Sequence, residues 1–254
     1  MTVIDGHVHL DGEGTADEAV AALVDELAAA DIAGAIVLHL NFQRWSVEEV
    51  ADALRPHRHL FGFVHVDPRE ADASDQLRRG IGELGYAGLK LHPRLLGHGV
   101  DDEATITLVG TAGELGVPVV VDAFPDGTWL LDGWDPRAFG RLARACPDTR
   151  IVAAHFGGHH CLDLMMIVKR SPNLWVDLSY SLLYFRGSSV VDDLVYACRS
   201  MRFERVFYGS DTPDRSIGAS LELSLAELRR RGVGQADLER LLAGNVKELL
   251  GWTD

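Results

Sequence analysis

The chain alternates short apolar runs with longer amphipathic stretches along its whole length. Eight cycles of this pattern occur in 254 residues. The repeat predicts parallel strands joined by crossover helices, since a buried parallel strand is apolar throughout while a surface helix is apolar on one side. The predicted strands, with the exit loop of the fourth, cover residues 2–6, 34–40, 60–66, 87–93, 117–122, 150–155, 173–179 and 205–211.

Local signals mark the helix ends. Ser46 and Glu49 have the spacing of a capping box, and Pro56 stops the helix that Ser46 begins. Asp135 followed by Pro136 is an N-cap with a first-turn proline, and Gly116 is a C-terminal stop. The predicted helices cover residues 16–30, 46–55, 70–84, 101–115, 135–146, 160–170, 188–201, 216–231 and 236–249.

These elements predict one (β/α)8 TIM barrel that spans residues 1–254. Barrels of this kind take about 250 residues as one domain, and 47% hydrophobic residues suffice for a large core. An open, doubly wound sheet is the alternative. Against it, no Gly-x-Gly-x-x-Gly pattern follows any predicted strand.

Charge and cysteine content limit the kinds of partner and compartment that we expect for this protein. Lys and Arg total 24 and Asp and Glu total 38, so the formal charge is 24 − 38 = −14. An acidic chain offers no electrostatic support for binding nucleic acid or a membrane. Cys146, Cys161 and Cys198 are odd in number and far apart, which indicates reduced thiols in a cytoplasmic protein. We expect neither a signal peptide nor a membrane span.

The first candidate chemistry lies at the end of the first strand. His7 and His9 are two residues apart, so in an extended strand they project from the same face. Neutral imidazoles bind zinc and similar divalent ions, and Gly6 leaves the backbone open beside the pair. The alternative is two histidines whose hydrogen bonds are satisfied locally.

Further polar residues recur where the later strands end. The carboxyl ends of parallel barrel strands meet at one face, where catalytic residues of such barrels lie. Burying polar side chains without partners is costly, so their accumulation indicates a site. The alternative is a series of unrelated loop and helix caps. The strand-end set is His7, His9, His39, His65, Lys90, His92, Asp122, His155, Ser179 and Asp211.

Five segments resemble signatures of the amidohydrolase superfamily, in particular its amidohydrolase-2 branch, which includes aminocarboxymuconate-semialdehyde decarboxylase and related hydrolases. The resemblance spans about residues 4–213 and is specific for the superfamily but not for a substrate. The segments are Ile-Asp-Gly-His7-Val-His9, Gly88-Leu-Lys90-Leu-His92-Pro93, Ala154-His155-Phe-Gly-Gly158, Trp175-Val-Asp177-Leu-Ser179 and Tyr208-Gly-Ser210-Asp211-Thr-Pro213.

The resemblance implies a divalent metal, with zinc as first choice and Mn, Fe or Mg as alternatives. His7 and His9 match the metal-binding pair. Asp211 matches the strand-eight aspartate that touches the metal and exchanges a proton with its water. His155 matches the strand-six histidine, a base or a ligand. Asp122 stands where decarboxylase-like members have a metal-binding histidine, so it is a fourth predicted ligand or a sign that the metal is weak or lost.

The predicted catalytic residues are Asp211, His155 and Lys90. Lys90 has three interpretations: a carbamylated bridge between two metals, an ammonium that binds a substrate carboxylate, or a salt-bridge partner of Asp122. We favour the second or third, because a binuclear site would also need a strand-five histidine. The predicted substrate-binding residues are Lys90, His92, Tyr180 and Arg186.

Several other residues have two interpretations each. His39, His65, His159 and His160 could face the pocket or be local, structural histidines. The remaining candidates could support or shape the site, or could simply pack; they are Asp177, Ser179, Tyr184, Trp129 and Trp134.

We therefore expect a metal-dependent hydrolase that attacks a C–N or C–O bond of a small molecule, such as an amide, lactone or imine, through a metal-activated water. The alternatives are a non-oxidative decarboxylase of a small carboxylic acid, a metal-independent hydrolase that uses His155 and Asp211, and a non-catalytic binding barrel or scaffold. Leucines of the last helices could form a homodimer surface or cover the barrel; they are Leu241, Leu242, Leu249 and Leu250.

Overall fold

The computed structural model describes residues 1–40 and 42–252. Eight parallel strands lie in one sheet in chain order, with a helix or helices between successive strands, which confirms the predicted (β/α)8 barrel. Most strands are shorter than predicted. They are β1 (Ile4–Val8), β2 (Gly34–Leu38), β3 (Leu60–His65), β4 (Gly88–Leu91), β5 (Val119–Val121), β6 (Ile151–Ala153), β7 (Leu174–Asp177) and β8 (Val206–Phe207).

Backbone hydrogen bonds between β1 and the segment at and after β8 close the sheet. The Gly6 N–H donates to the Tyr208 carbonyl at 3.0 Å, and the Asp211 N–H donates to the His7 carbonyl at 2.9 Å. The His9 N–H donates to Thr212 at 3.1 Å. Closure removes the free edges of the sheet and brings the ends of β1 and β8 together.

The predicted helices are present. Ser46 and Glu49 make both bonds of the capping box, and Pro136 lies in the first turn of its helix. Three short helices in the loops after β4, β5 and β7 were not predicted. The helices are α1 (Ala16–Ala29), α2 (Val47–Leu54), α3 (Ala73–Gly82), α4 (Pro93–Leu96), α5 (Glu103–Glu114), α6 (Gly127–Leu131), α7 (Pro136–Ala145), α8 (Cys161–Val168), α9 (Ser181–Tyr184), α10 (Val190–Ser200), α11 (Ile217–Arg230), α12 (Gln235–Glu239) and α13 (Asn245–Leu250).

The predicted helix over 236–249 is interrupted. A π-helical turn, Arg240–Gly244, separates α12 from α13. Within it the Leu241 carbonyl accepts a hydrogen bond from the Tyr208 N–H at 2.9 Å. A hydrogen-bond donor from outside the helix therefore binds one of its carbonyls at the π-helical turn. Interruption of the helix hydrogen bonds is common at such turns.

The core has an inner and an outer layer. Side chains that fill the barrel include Ile4, Ile36, Phe63 and Phe207, and Leu249 of α13 joins them. The outer layer packs the other strand faces against the helices. Three of the leucines considered for a dimer surface are fully buried in the chain and so cover the barrel; they are Leu241, Leu242 and Leu249. The homodimer itself stays a prediction.

The three cysteines are free and buried. Burial raises the pKa of the Cys161 thiol to about 12, so it is protonated at neutral pH. Among residues 1–40 and 42–252, no helix combines the length and the apolar character needed to cross a bilayer.

Candidate metal centre and active site

A β-bulge in β1 sets the direction of the two histidines. Asp5 is opposite Ala35 and Val8 is opposite Val37, so β1 has one residue more than β2 over this interval. Ile4 belongs to the inner layer and Val8 to the outer layer, which strict alternation would not allow. The extra residue reverses the alternation and turns His7 and His9 toward the barrel axis.

Asp211 meets this histidine pair. It follows β8 with a left-handed φ of 59°, and its N–H is held by the His7 carbonyl. Its Oδ1 lies 3.2 Å from His7 Nε2 and 3.6 Å from His9 Nε2. One ligand-type atom from each of the three residues lies within 4.8 Å of the other two. The structure thus brings three of the four predicted metal ligands together.

The donor and acceptor roles in this cluster fit a cation. His9 Nδ1 lies 2.9 Å from the Leu38 carbonyl, which only accepts, so in the neutral ring Nδ1 carries the hydrogen and Nε2 the lone pair. His7 Nε2 is buried and has no hydrogen-bond partner in the described part of the chain. Burial lowers the pKa of His7 to about 4, with the charge of Lys90 adding to the effect, so its ring is neutral near pH 7. Imidazole lone pairs that converge on a carboxylate oxygen are the donor set of a divalent metal.

His155 lies beside this cluster on a strained backbone. It follows β6 in a short 3-10 segment, with a left-handed φ of 61°. Its N–H donates to Asp177 Oδ1 at 2.9 Å, and its carbonyl accepts from Ser181 Oγ at 2.6 Å. Left-handed conformations of non-glycine residues cost about 1–3 kcal/mol and persist where the surroundings impose them. These bonds hold the backbone of His155 in its strained conformation, and the Ser179 hydroxyl, 2.9 Å from Nδ1, contacts the ring.

The charge of His155 follows from its neighbours. Burial alone would lower the pKa of its imidazole, but the carboxylates of Asp211, Asp122 and Asp177 outweigh burial and raise this pKa. His155 Nε2 lies 3.3 Å from Asp122 Oδ1. The imidazole is therefore held toward its protonated form, next to a neutral His7.

Asp122 is fully buried and belongs to a different set of contacts from the three-residue cluster. Its Oδ2 accepts from Arg94 Nε at 3.1 Å and lies 3.6 Å from His92 Nδ1. Burial would raise the pKa of Asp122, but His92, His155 and Arg94 hold it well below its usual range. The structure does not place Asp122 in the His7–His9–Asp211 cluster, so its role as a ligand stays a prediction.

Arg94, in α4, is a site residue that the sequence analysis did not identify. Besides Asp122, it donates to Asp126 Oδ2 at 2.7 Å. Arg94 thus forms an ion pair with Asp122. The charge of Asp122 also raises the pKa of Lys90 against the effect of burial, and the three interpretations of Lys90 stay predictions. The available signal was a position: Arg94 follows His92-Pro93 at the exit of the fourth strand.

The predicted substrate-binding residues separate into two groups. Lys90 is buried on β4, where burial lowers its pKa and the charges of nearby aspartates partly oppose that. His92 is also buried, and burial lowers its pKa to about 3. Tyr180 stacks on Tyr184 at 5.0 Å, and its ring lies 6.0 Å from that of His155.

Arg186 has different contacts. Its Nε donates to Glu227 Oε1 on α11 at 2.9 Å, and half of its side chain is exposed. Its role in substrate binding stays a prediction.

The remaining candidates differ in whether they contact the site histidines. His39 is buried, and its Nε2 lies 3.2 Å from the Trp45 carbonyl. Trp134 packs its ring 4.7 Å from that of His160, and His159 is exposed. These contacts are those of local packing. Asp177 and Ser179, in contrast, contact His7 and His155 directly.

Fold and site together define the class: a TIM barrel with a histidine–aspartate cluster at the carboxyl ends of its strands. The family model described as amidohydrolase matches residues 4–252, and the chain belongs to this amidohydrolase-2 family of enzymes. No curated protein matches the chain by sequence at a significant level.

Similar solved structures support the fold. An uncharacterised TIM-barrel protein from Bordetella bronchiseptica has a TM-score of 0.82 at 19% identity, with 99% of each chain covered. A probable 2-pyrone-4,6-dicarboxylic acid hydrolase from Acinetobacter baumannii, with citric acid bound, has 0.72 at 16%, covering 99% of this chain and 100% of that one. The 5-carboxyvanillate decarboxylase of Sphingomonas paucimobilis has 0.71 at 11%, with 99% of each covered.

Proposed function

We propose that this protein is a divalent-metal-dependent hydrolase that cleaves a C–N or C–O bond of a small molecule. The observation that carries the proposal is the convergence of His7 Nε2, His9 Nε2 and Asp211 Oδ1. Neutral imidazole nitrogens and a carboxylate oxygen are donors that divalent cations accept, and membership of the amidohydrolase family is consistent with a metal.

His7, His9 and Asp211 would hold the ion. Zinc is the first choice because its catalytic sites commonly have three protein ligands, drawn from imidazole nitrogen and carboxylate oxygen. When bound, the cation supplies Lewis acidity, which stabilises hydroxide near neutral pH and polarises a substrate carbonyl. The buried position of His7 keeps its ring neutral and ready to coordinate.

The proton transfers are assigned to side chains around this cluster. Asp211, whose Oδ1 lies 3.2 Å from His7 Nε2 and 3.6 Å from His9 Nε2, would accept a proton from the attacking water. The surrounding aspartates raise the pKa of His155 and so favour its protonated form, which would donate from Nε2 to a leaving group. Arg94 keeps Asp122 ionised opposite His155, which favours the protonated imidazole. The cycle closes when the proton that Asp211 took from water is released to solvent and His155 takes one up from solvent.

Substrate binding is assigned to the wall of the barrel mouth. Lys90 is a buried amine that can bind a substrate carboxylate, with His92 beside it. Tyr180 stacks on Tyr184 and packs edge-on against Phe124, which gives a flat apolar wall near His155.

Decarboxylation of a small carboxylic acid is a second candidate. Lys90, a buried amine whose charge acts on the pKa of His7, favours it because a substrate carboxylate could lie against Lys90 while His155 protonates the carbon. Solved structures of similar fold include both a dicarboxylic acid hydrolase and a decarboxylase.

Metal analysis tests the proposal. Purified protein, dialysed against zinc or manganese, should hold close to one ion per chain, and His9→Ala should lose it together with the metal-dependent rise in melting temperature. His159→Ala, which removes an exposed histidine, is the matched control and should keep the ion. Wild-type protein that binds no metal, and that turns over substrate unaffected by chelators, would rule out this function.

The reaction type needs a separate experiment. Lactones, cyclic amides and unsaturated carboxylic acids should be screened in water enriched in heavy oxygen. Hydrolysis places the heavy oxygen in the product acid, whereas decarboxylation releases carbon dioxide and leaves one carboxyl group fewer. Release of carbon dioxide without incorporation would favour the second candidate.

A further inference from the structure

Asp177, the last residue of β7, is fully buried behind His7. Its carboxylate receives four donors. Oδ1 accepts from the His155 N–H at 2.9 Å, the Ser179 N–H at 3.0 Å and the Ser179 hydroxyl. Oδ2 lies 3.0 Å from His7 Nδ1. The contact with His7 is on the side of the ring opposite to Nε2, which faces Asp211.

The hydrogens in this network can be assigned one by one. The Ser179 hydroxyl donates to Asp177, so its oxygen is the acceptor for His155 Nδ1 at 2.9 Å. That hydroxyl has one hydrogen and cannot also donate to His7 Nδ1, which is 3.2 Å away. A carboxylate only accepts. His7 Nδ1 must therefore carry the hydrogen in its contact with Asp177.

We propose that Asp177 is a positioning residue that fixes His7 in the Nδ1–H tautomer, so that Nε2 presents a lone pair to the cluster with His9 and Asp211. A carboxylate behind a metal-binding histidine orients the ring and raises its basicity. The consequence for metal affinity rests on the proposed function, whereas the tautomer does not. Through Ser179, the same carboxylate also fixes the ring of His155.

Asp177→Asn tests the proposal by changing one atom. The side-chain oxygen of asparagine can still accept from the His155 and Ser179 N–H groups, while its NH2 group replaces Oδ2 opposite His7 Nδ1. His7 would then have to accept at Nδ1 and carry its hydrogen on Nε2, 3.2 Å from Asp211 Oδ1. The variant should fold, with a metal-free melting temperature equal to or above that of the wild type. Its zinc affinity should fall about 10–100-fold.

The chain offers a matched control. Asp163 Oδ2 lies 3.3 Å from His160 Nδ1 in a surface pair outside the cluster. Asp163→Asn makes the same chemical change to a carboxylate–histidine pair and should leave zinc affinity unchanged. Equal zinc affinities of Asp177→Asn and wild type would overturn the proposal.

A second measurement needs neither metal nor the Asp177→Asn variant. Nitrogen-15 NMR of histidine-labelled, metal-free wild type should show His7 protonated at Nδ1 only, with the resonance assigned by its loss in His7→Gln. A His7 protonated at Nε2 would overturn the proposal even if Asp177→Asn did not fold. If wild type bound no metal but showed the expected tautomer, the proposed function would fail and the role of Asp177 would stand.

Discussion

At the scale of single residues, the site depends on positions that have no side chain. A Cβ on Gly209 would lie 2.6 Å from the His7 Cβ and 3.0 Å from the Ser179 Cβ. A Cβ on Gly6 would lie 2.3 Å from the Phe207 ring. These glycines let strand backbones approach the ring of His7 and the inner layer closely. A methyl group added at Gly209 must therefore move a site residue, and one added at Gly6 must move the Phe207 ring.

Gly209→Ala should destabilise the protein by about 1–3 kcal/mol, because its methyl group overpacks the space against His7. The displaced ring should also weaken metal binding. Urea denaturation and zinc titration measure the two effects. Gly110→Ala is the control: Gly110 lies in α5, no described residue outside that helix comes within 4 Å of the added methyl group, and the variant should be as stable as wild type or more stable. A Gly209→Ala protein as stable as Gly110→Ala would contradict this account of the site.

Asp122→Asn separates the two roles considered for this aspartate. Its observed partners are Arg94, His92 and His155, none of them in the His7–His9–Asp211 cluster, so the substitution should leave metal content unchanged. Turnover should fall by about 10²–10⁴, the usual contribution of a positioned proton donor and its partner. Elemental analysis and steady-state kinetics decide the matter: loss of the metal would show that Asp122 is a ligand.

At the scale of elements, the loops after the strands complete the site. Arg94 comes from α4, and Tyr180 lies at the start of α9. A helix of four residues contains about one turn and gives no periodic signal in a sequence, so neither the α4 helix nor the α9 helix was predicted. The β1 bulge was also not predicted, because one extra residue leaves no mark on the apolar run. His7, His9 and Asp211 could be identified because short motifs fix them at strand ends, whereas the partners of Asp122 depend on side-chain packing.

An ion pair between Arg186 and Glu227 connects the loop after β7 to α11. Glu227 accepts from Arg186, Arg230 and Arg231. Burial would raise the pKa of Glu227, but these hydrogen bonds lower it to about 2 from an ordinary 4.5. A lowered pKa stabilises the fold above pH 4.5, and the contribution disappears as the pH falls from 4.5 toward 2. Glu227→Gln should therefore melt below wild type at neutral pH.

The pH dependence checks this prediction by calorimetry. The difference in melting temperature between Glu227→Gln and wild type should narrow as the pH approaches the folded-state pKa. Glu222→Gln, an exposed glutamate on the same helix, should match wild type throughout. A difference that stayed constant with pH would show that the ion pairs do not stabilise the loop.

At the scale of the whole molecule, one end of the barrel carries the candidate site and the other end is closed by apolar packing. The carboxyl ends of the strands carry the polar cluster, while apolar side chains of α13 pack onto the inner layer. Asn245 fastens α13 by donating to the carbonyls of Phe203 and Val206 at 2.7 and 2.6 Å. The alternation of apolar runs predicted the barrel, because burial of eight strands dictates that pattern. The same pattern did not show which leucines of the last helix are buried. The apolar face of a helix has the same sequence pattern whether it packs on its own barrel or on a partner.

Leu249→Ala tests whether the covered end stabilises the barrel as one unit. Leu249 is fully buried in the inner layer, so its truncation should cost about 2–5 kcal/mol. Below the melting transition, zinc affinity should equal that of wild type, because the lost side chain lies at the end opposite the cluster. Leu131→Ala, which trims a leucine that is 90% exposed, should change neither quantity. If Leu249→Ala lost zinc affinity while its melting temperature held, the inner layer would instead connect the two ends of the barrel.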